Sequence, residues 1–288
     1  MNMKPALLCV HIYYADMWEE LGRCIANVTI PFRLYVTMVA ENPDLVRKIR
    51  GTYPDANIEV VENRGYDVGP FVHIIKNVNL NDYSFVIKLH TKRDMAVGTI
   101  YQNQDFSGDR WRRALLDFIS SKEKFSRVID GFCRDAKLGM VANHRVHHNG
   151  FAFKTRELYA NVVRVMADMG LALKHCKHIA GTMFIARAEL FIPIQKLGID
   201  LDDFEVPDKV HSQKMAHLFE VIFGYIVYAQ GYEIRDCYTP LVWLYVVAPL
   251  QKVWVALRHF VYHKKVTTSN KVIVKILKIP VYNKQIRK

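Results

Sequence analysis

The first ninety residues alternate apolar strand-like runs with amphipathic helix-like segments, and few folds accommodate that order. Residues 6–14 (ALLCVHIYY) are a continuous apolar run of strand length. Residues 16–27 place Trp18, Leu21 and Ile25 on one helical face behind Asp16, a good N-cap. FRLYVTMV (32–39), rich in branched and aromatic residues, reads as a second strand. Pro43 opens a helix through Arg50, and NIEVVE (57–62) is a third strand. A short helix near 71–77 precedes a fourth strand, YSFVIKL (83–89). Strands separated by helices imply parallel βαβ units, so an open, mostly parallel α/β sheet flanked by helices is expected.

The pattern continues more loosely. A polar loop from Leu89 to about Gly108 is long enough to be functional. Helices are expected at 109–120, 122–134, 154–170 and 187–197, and strands at 138–143 and 179–186. An acidic loop covers 198–211. In 213–229, apolar residues at 215, 218, 219, 222, 223 and 226 mark a buried helix face. With no repeat or low-complexity linker, residues 1–237 read as one α/β domain and 238–288 as a separate tail.

Charge separates the same two regions. The chain has 40 Lys+Arg against 28 Asp+Glu, a net charge of +12. Ten basic residues and no acidic one lie between Gln251 and Lys288, which leaves the rest near neutral. A uniformly basic nucleic-acid-binding domain is therefore not expected. From Leu250, apolar residues recur at 253, 254, 257 and 261 with helical spacing. On a helix, Lys271, Lys275 and Lys278 would share one face and Val272, Ile276 and Ile279 another. A basic amphipathic helical extension lying on an anionic membrane surface through 240–288 is the expectation. No run of 18 apolar residues suggests a spanning helix, and no signal-peptide pattern opens the chain. Five cysteines without a CxxC pair favour a reducing cytoplasm. A cytoplasmic protein, peripheral on the inner face of the cytoplasmic membrane, follows.

In open α/β sheets ligands bind at the carboxyl ends of the strands. After the third strand comes Glu62-Asn-Arg-Gly-Tyr-Asp-Val-Gly-Pro-Phe71. Here Gly65 and Gly69 let backbone N–H groups approach a ligand, Arg64 offers a fork for phosphate, and Asp67 can accept from a sugar hydroxyl. After the fourth strand, Lys88 and His90 share one strand face, with Lys92 and Arg93 beyond. A buried cation needs an anion, and a diphosphate would supply it. Neither GxGxxG nor GxxxxGK[ST] is present, which disfavours dinucleotide and P-loop sites. His144, His147 and His148, and likewise His175 and His178, lack companions at a zinc spacing and read as solvated loop residues.

Several blocks together resemble the rhamnan synthesis protein F family of bacterial polysaccharide glycosyltransferases. They are HIYYADMWEEL (11–21), FRLYVT (32–37), ENRGYDVGPF (62–71), VIKLHTKR (86–93), Trp111-Arg112, LGMV (138–141), AGTMFIAR (180–187) and AHLFEVIFG (216–224). The resemblance runs from about residue 9 to 232. It implies a GT-A-like fold and transfer of a sugar, L-rhamnose or another hexose, from a nucleotide-diphosphate donor to a lipid-linked polysaccharide. On this basis His11, Asn63, Arg64, Gly65, Asp67, Lys88, His90 and Lys92 are donor-binding candidates. Trp111, Arg112, Thr182 and Glu220 belong to the acceptor side or support the site.

Enzymes of this fold usually hold a divalent ion with Asp-x-Asp after the fourth strand. Lys88-Leu-His90-Thr-Lys92 occupies that place, so no metal cofactor is expected and cations would stabilise the leaving diphosphate. Asp200-Leu-Asp202-Asp203 spells the motif but follows a helix. Ser212 stands where the family shows an Asp, so the catalytic base is sought in Glu205, Asp208 and His217, with His211 a further option. Direct displacement with inversion is the implied mechanism. A catalytically degenerate scaffold of a polysaccharide-assembly complex is the alternative.

Overall fold

A computed structural model of the chain describes residues 3–96, 99–101, 104–149, 156–207, 215–238, 242, 246–266, 271–277 and 279–285. It begins with β1 (Ala6–Ile12), α1 (Trp18–Ile25), β2 (Phe32–Met38), α2 (Pro43–Thr52), β3 (Asn57–Val60), α3 (Val68–Lys76) and β4 (Phe85–His90). A short hairpin of β5 (Ile100–Tyr101) and β6 (Gln104–Asp105) precedes α4 (Arg110–Leu115), α5 (Lys122–Arg134), β7 (Leu138–Ala142) and β8 (His147–Asn149). Then come α6 (Arg156–Asp168), β9 (Lys177–Ile179), β10 (Phe184–Arg187), α7 (Ile192–Gln195), α8 (Met215–Ala229) and β11 (Glu233–Asp236). The last elements are α9 (Ala248–Val261), β12 (Tyr262–Val266), β13 (Lys271–Ile276) and β14 (Ile279–Gln285).

Two compact units result: residues 1–93 with 112–238, and residues 94–111 with 239–288. The first holds a seven-stranded sheet of order β11-β7-β10-β4-β1-β2-β3. Only β10 runs against the others, antiparallel to β4 and β7. This is the mostly parallel sheet flanked by helices that the alternation of segments anticipates. All seven residues of β1 are buried, as both covered faces of a central parallel strand require. Right-handed crossovers put α1 and α2 on one face and α3 on the other. On the α3 side, the Phe71 ring meets Phe184 of β10 and Phe223 of α8 edge-on at 6.1 and 5.2 Å. Each buried phenylalanine contributes about 1.5–3 kcal/mol.

Several local expectations are corrected. Asp16 is not a cap: it lies in a 3-10 turn ahead of α1 and pairs with Arg93 at 2.8 Å. The run 179–186 is two strands, because Gly181 (φ 77°) and Thr182 (φ 48°) adopt left-handed backbone and reverse the chain between β9 and β10. In α8 burial extends round the helix, since β7, β9, β11 and α6 all pack on it. β11 completes the sheet edge from a four-residue run too short to stand out in the sequence.

The second unit contains the β5–β6 hairpin, α9 and a three-stranded antiparallel sheet of order β12-β13-β14. Residues 94–111 join this unit, although the sequence leaves them inside 1–237. Residues 271–276 form a strand rather than the expected helix. Val272, Ile273, Val274 and Ile276 are β-branched, and neighbours on both sides supply ladder partners. Among the described residues no helix is long and apolar enough to cross a membrane.

Candidate functional site

In the first unit, β1 and β4 are parallel neighbours, and their register sets Cys9 beside Lys88 and His11 beside His90. Because side chains alternate along a strand, all four lie on the face covered by α3. Lys88, 1% exposed, donates to Asp67 Oδ2 at 2.5 Å and to Thr182 Oγ1 at 2.8 Å. The Thr182 hydroxyl donates in turn to Asp67 Oδ2 at 2.5 Å. The Phe71 ring covers the ammonium, its centroid 5.5 Å away. Burial alone would raise the Asp67 carboxyl. His90 and Lys88, with the hydrogen bonds from Lys88 and Thr182, outweigh burial and hold it well below the ordinary carboxylate range. Asp67 thus supplies the counter-charge that the sequence sought in a bound diphosphate. The buried cation by itself is no argument for an anionic ligand.

The loop that delivers Asp67 uses its glycines internally. Gly65 (φ 64°) and Tyr66 (φ 57°) turn the chain, and Gly65 N–H donates to Glu205 O at 2.9 Å. A Cβ at Gly65 would fall 2.5 Å from the Phe204 ring, and one at Gly69 would collide with Arg64 O. Arg64 donates to Glu62 at 2.8 Å and to Phe204 O at 3.1 Å. Gly65 thus packs closely against Phe204, and Gly69 against the Arg64 carbonyl and the Leu201 side chain. Asn63 is half-buried beside them.

At the ends of β1 and β4, His11 Nδ1 is 3.0 Å from Thr37 Oγ1, and its Nε2 has no hydrogen-bond partner among the described residues. Burial, against the pull of Asp67, pushes this ring down to about 4. His90 Nδ1 lies 3.3 Å from Asp67 Oδ2, outside hydrogen-bonding geometry, and burial pushes it down to about 3. Both rings are therefore neutral at physiological pH. Thr91 Oγ1 accepts from the N–H groups of Tyr13 and Tyr14 at 2.9 and 3.0 Å, tying the two strand ends together. No motif in the sequence marks Thr91. Its place between His90 and Lys92, where the strand leaves the sheet, was the available signal.

Lys92 differs from Lys88. It is half-buried, and among the described residues it has no carboxylate partner. Arg112 donates to Glu20 at 2.8 Å and to Lys92 O at 3.2 Å, so it fixes the main chain that carries Lys92. Trp111 belongs to the second unit, where its ring meets Phe106 edge-on at 4.6 Å.

Glu220, in α8, accepts from Gly181 N–H through Oε1 at 2.9 Å. Burial raises its carboxyl above the ordinary range and Asp67 adds to this, while the Gly181 N–H, Lys88 and Lys92 oppose it. His217 is half-buried one turn earlier on α8. Glu205 is exposed, and its carboxylate accepts from Met215 N–H at 3.1 and 3.2 Å, capping α8. Asp208, His211 and Ser212 lie outside the described residues.

Among the described residues, the donors at the end of β4 do not suit a divalent cation. Two lysines flank His90 at the end of β4, and the nearest carboxylate, Asp67, is engaged by one of them. Asp200 accepts from Leu201 N–H, His73 and Lys76, while Asp203 accepts from Asp200 N–H in a capping box. Among the described residues no group of three or more His, Cys, Asp or Glu is placed to hold a metal ion. The histidines expected to be solvated divide: His175 is exposed, whereas His178 is buried. His148 and His178 pair across β8–β9 with rings stacked at 4.9 Å, and burial pushes His178 down to about 3.

The family model described as Rhamnan synthesis protein F matches residues 2–232. A protein described as uncharacterized protein WxcX, from Xanthomonas campestris pv. campestris strain B100, is 23% identical over 232 residues. The match covers 80% of this chain and 32% of that protein. The counterpart from strain ATCC 33913 matches equally, at 23% identity over the same coverage. The chain thus spans about a third of the length of the curated relatives it matches. The crystal structure of S. aureus TarS 1-349 aligns at 12% identity with a TM-score of 0.41, covering 80% of this chain and 58% of that one.

Proposed function

Because the chain belongs to the rhamnan synthesis protein F family, we propose that it is a glycosyltransferase of polysaccharide synthesis, with a GT-A-like use of its sheet. Family membership across residues 2–232 carries the reading. The carboxyl-end cluster of the first unit supports it, with Lys92, unpaired among the described residues, near the neutral His11 and His90 and the half-buried Glu220. In this reading a nucleotide sugar, L-rhamnose or another hexose on a nucleoside diphosphate, lays its diphosphate against Lys92. The Asp67–Lys88–Thr182 knot holds the β4 end rigid behind it. An acceptor hydroxyl displaces the diphosphate at the anomeric carbon with inversion, and fixed positive charge stabilises the leaving group without a metal ion.

The acceptor in this proposal is a lipid-linked glycan of an O-antigen or rhamnan chain. The second unit brings the protein to the cytoplasmic face of an anionic membrane. Its basic sequence and the exposed side chains Leu250, Val253, Trp254 and Leu257 of α9 support that placement.

A thermal-shift screen against dTDP-, UDP- and GDP-hexoses tests donor binding. One nucleotide sugar is expected to raise the unfolding temperature in EDTA, and the Lys92→Met variant to lose most of that rise. A flat response to all of them would count against the reading.

A further inference from the structure

The carboxylates around the strand ends are nearly all engaged. Asp67 neutralises Lys88, Glu62 holds Arg64, Asp200 holds His73 and Lys76, and Glu205 caps α8. Glu220 is different. Its Oε1 is fixed by Gly181 N–H at 2.9 Å, while among the described residues its Oε2 accepts no hydrogen bond. The side chain is half-buried, so it is not sealed from solvent.

Its position is set tightly. One turn further along α8, Gly224 lies so close to the Lys177 carbonyl and the His178 backbone that an added Cβ would collide with both. That approach clamps α8 against β9 and holds Glu220 at the turn carrying Gly181 and Thr182. Thr182 is β-branched yet has φ 48°, a conformation costing about 1–3 kcal/mol that persists only where surroundings impose it. The same turn therefore positions the Asp67–Lys88 pair through Thr182 and Glu220 through Gly181.

We propose that Glu220 is the catalytic base of the transfer described above, a role that rests on that reading. The acceptor hydroxyl gives its proton to Glu220 Oε2 while the hydroxyl oxygen bonds to the anomeric carbon. The bond from that carbon to the diphosphate oxygen breaks, and the nucleoside diphosphate leaves with the electron pair. Lys88 and Lys92 from the β4 end and Asp67 from the preceding loop are the charges facing Glu220. Its raised carboxyl makes it a stronger base than a solvated glutamate, and predicts an acid limb in the rate profile above the ordinary range near 4.5.

The experiment compares wild type, Glu220→Gln and Glu220→Asp with the hexose donor selected by the thermal-shift screen and a glycan acceptor. Glutamine keeps the acceptor atom for Gly181 N–H. The expected result is a kcat at least about 100-fold lower with donor KM changed by less than about threefold, and loss of the acid limb. A folded Glu220→Gln protein that transfers within about threefold of wild type, with the acid limb intact, overturns the assignment and leaves the transferase reading standing. If glutamine prevents folding, Glu220→Asp decides. A shifted acid limb supports the role, and an unshifted one overturns it. Absence of turnover by the wild-type protein overturns the transferase reading and this assignment together.

Discussion

A lysine and an aspartate buried together are stable only as a pair. Removing one partner leaves an uncompensated charge, which costs about 3–5 kcal/mol. Lys88→Met and Asp67→Asn should each lower unfolding free energy by about that much in urea titrations. The double variant should recover most of the loss; a strictly additive loss would contradict the pairing. The sign with pH follows from the depressed Asp67 carboxyl. Its contribution is full above the ordinary value of 3.8 and declines as pH falls below it. That Lys88 needs a partner was legible in the sequence, since a cation inside an apolar strand must meet an anion. Which anion was not legible. Asp67 lies 21 residues earlier in a loop, and only the Gly65–Tyr66 turn and the Thr182 hydroxyl bring it into place. Lys92, four positions after Lys88, was given the same role from sequence, yet only three dimensions distinguish the paired cation from the unpaired one.

At the scale of elements, strands and helices with their own periodicity were readable. β1, β2, β4 and α2 follow apolar runs or a helix-opening proline, and each lies within about three residues of its expected limits. Elements defined by what they pack against were harder. The run 179–186 is apolar throughout, so nothing local announces that Gly181 and Thr182 fold it back. The same is true of 271–276, where lysines at helical spacing coexist with β-branched residues and cross-strand partners decide the outcome. The α8–β9 contact gives this scale its prediction. Gly224→Ala places a methyl against Lys177 O and His178 and should cost about 1–3 kcal/mol. It should also slow turnover by moving Glu220 away from Gly181. A melting curve and rate like those of wild type would show that α8 is not clamped there.

For the whole molecule, charge and fold divide differently along the chain. Most of the net charge of +12 lies after Gln251: the unit that holds residues 1–93 and 112–238 carries 29 Lys+Arg against 25 Asp+Glu, a net of +4. The other unit, residues 94–111 and 239–288, carries +8 in far fewer residues, which suits a division between location and chemistry. The 288-residue chain should cosediment with vesicles containing anionic lipid. Binding should weaken steeply with salt, since each basic residue near such a surface contributes about 1 kcal/mol. Trp254, 67% exposed, should show blue-shifted emission on binding, and Leu257→Glu should reduce it. Equal binding to neutral and anionic vesicles would contradict the electrostatic part.

The central claim, sugar transfer from a nucleoside diphosphate, is tested most directly by phosphorus NMR. Purified protein would be mixed with dTDP-, UDP- or GDP-hexose and a lipid-linked glycan acceptor in the presence of EDTA. The account predicts acceptor-dependent release of nucleoside diphosphate from one of the donors, slowed at least about tenfold by Lys92→Met. No release from any donor, with or without added Mg²⁺ or Mn²⁺, would contradict it.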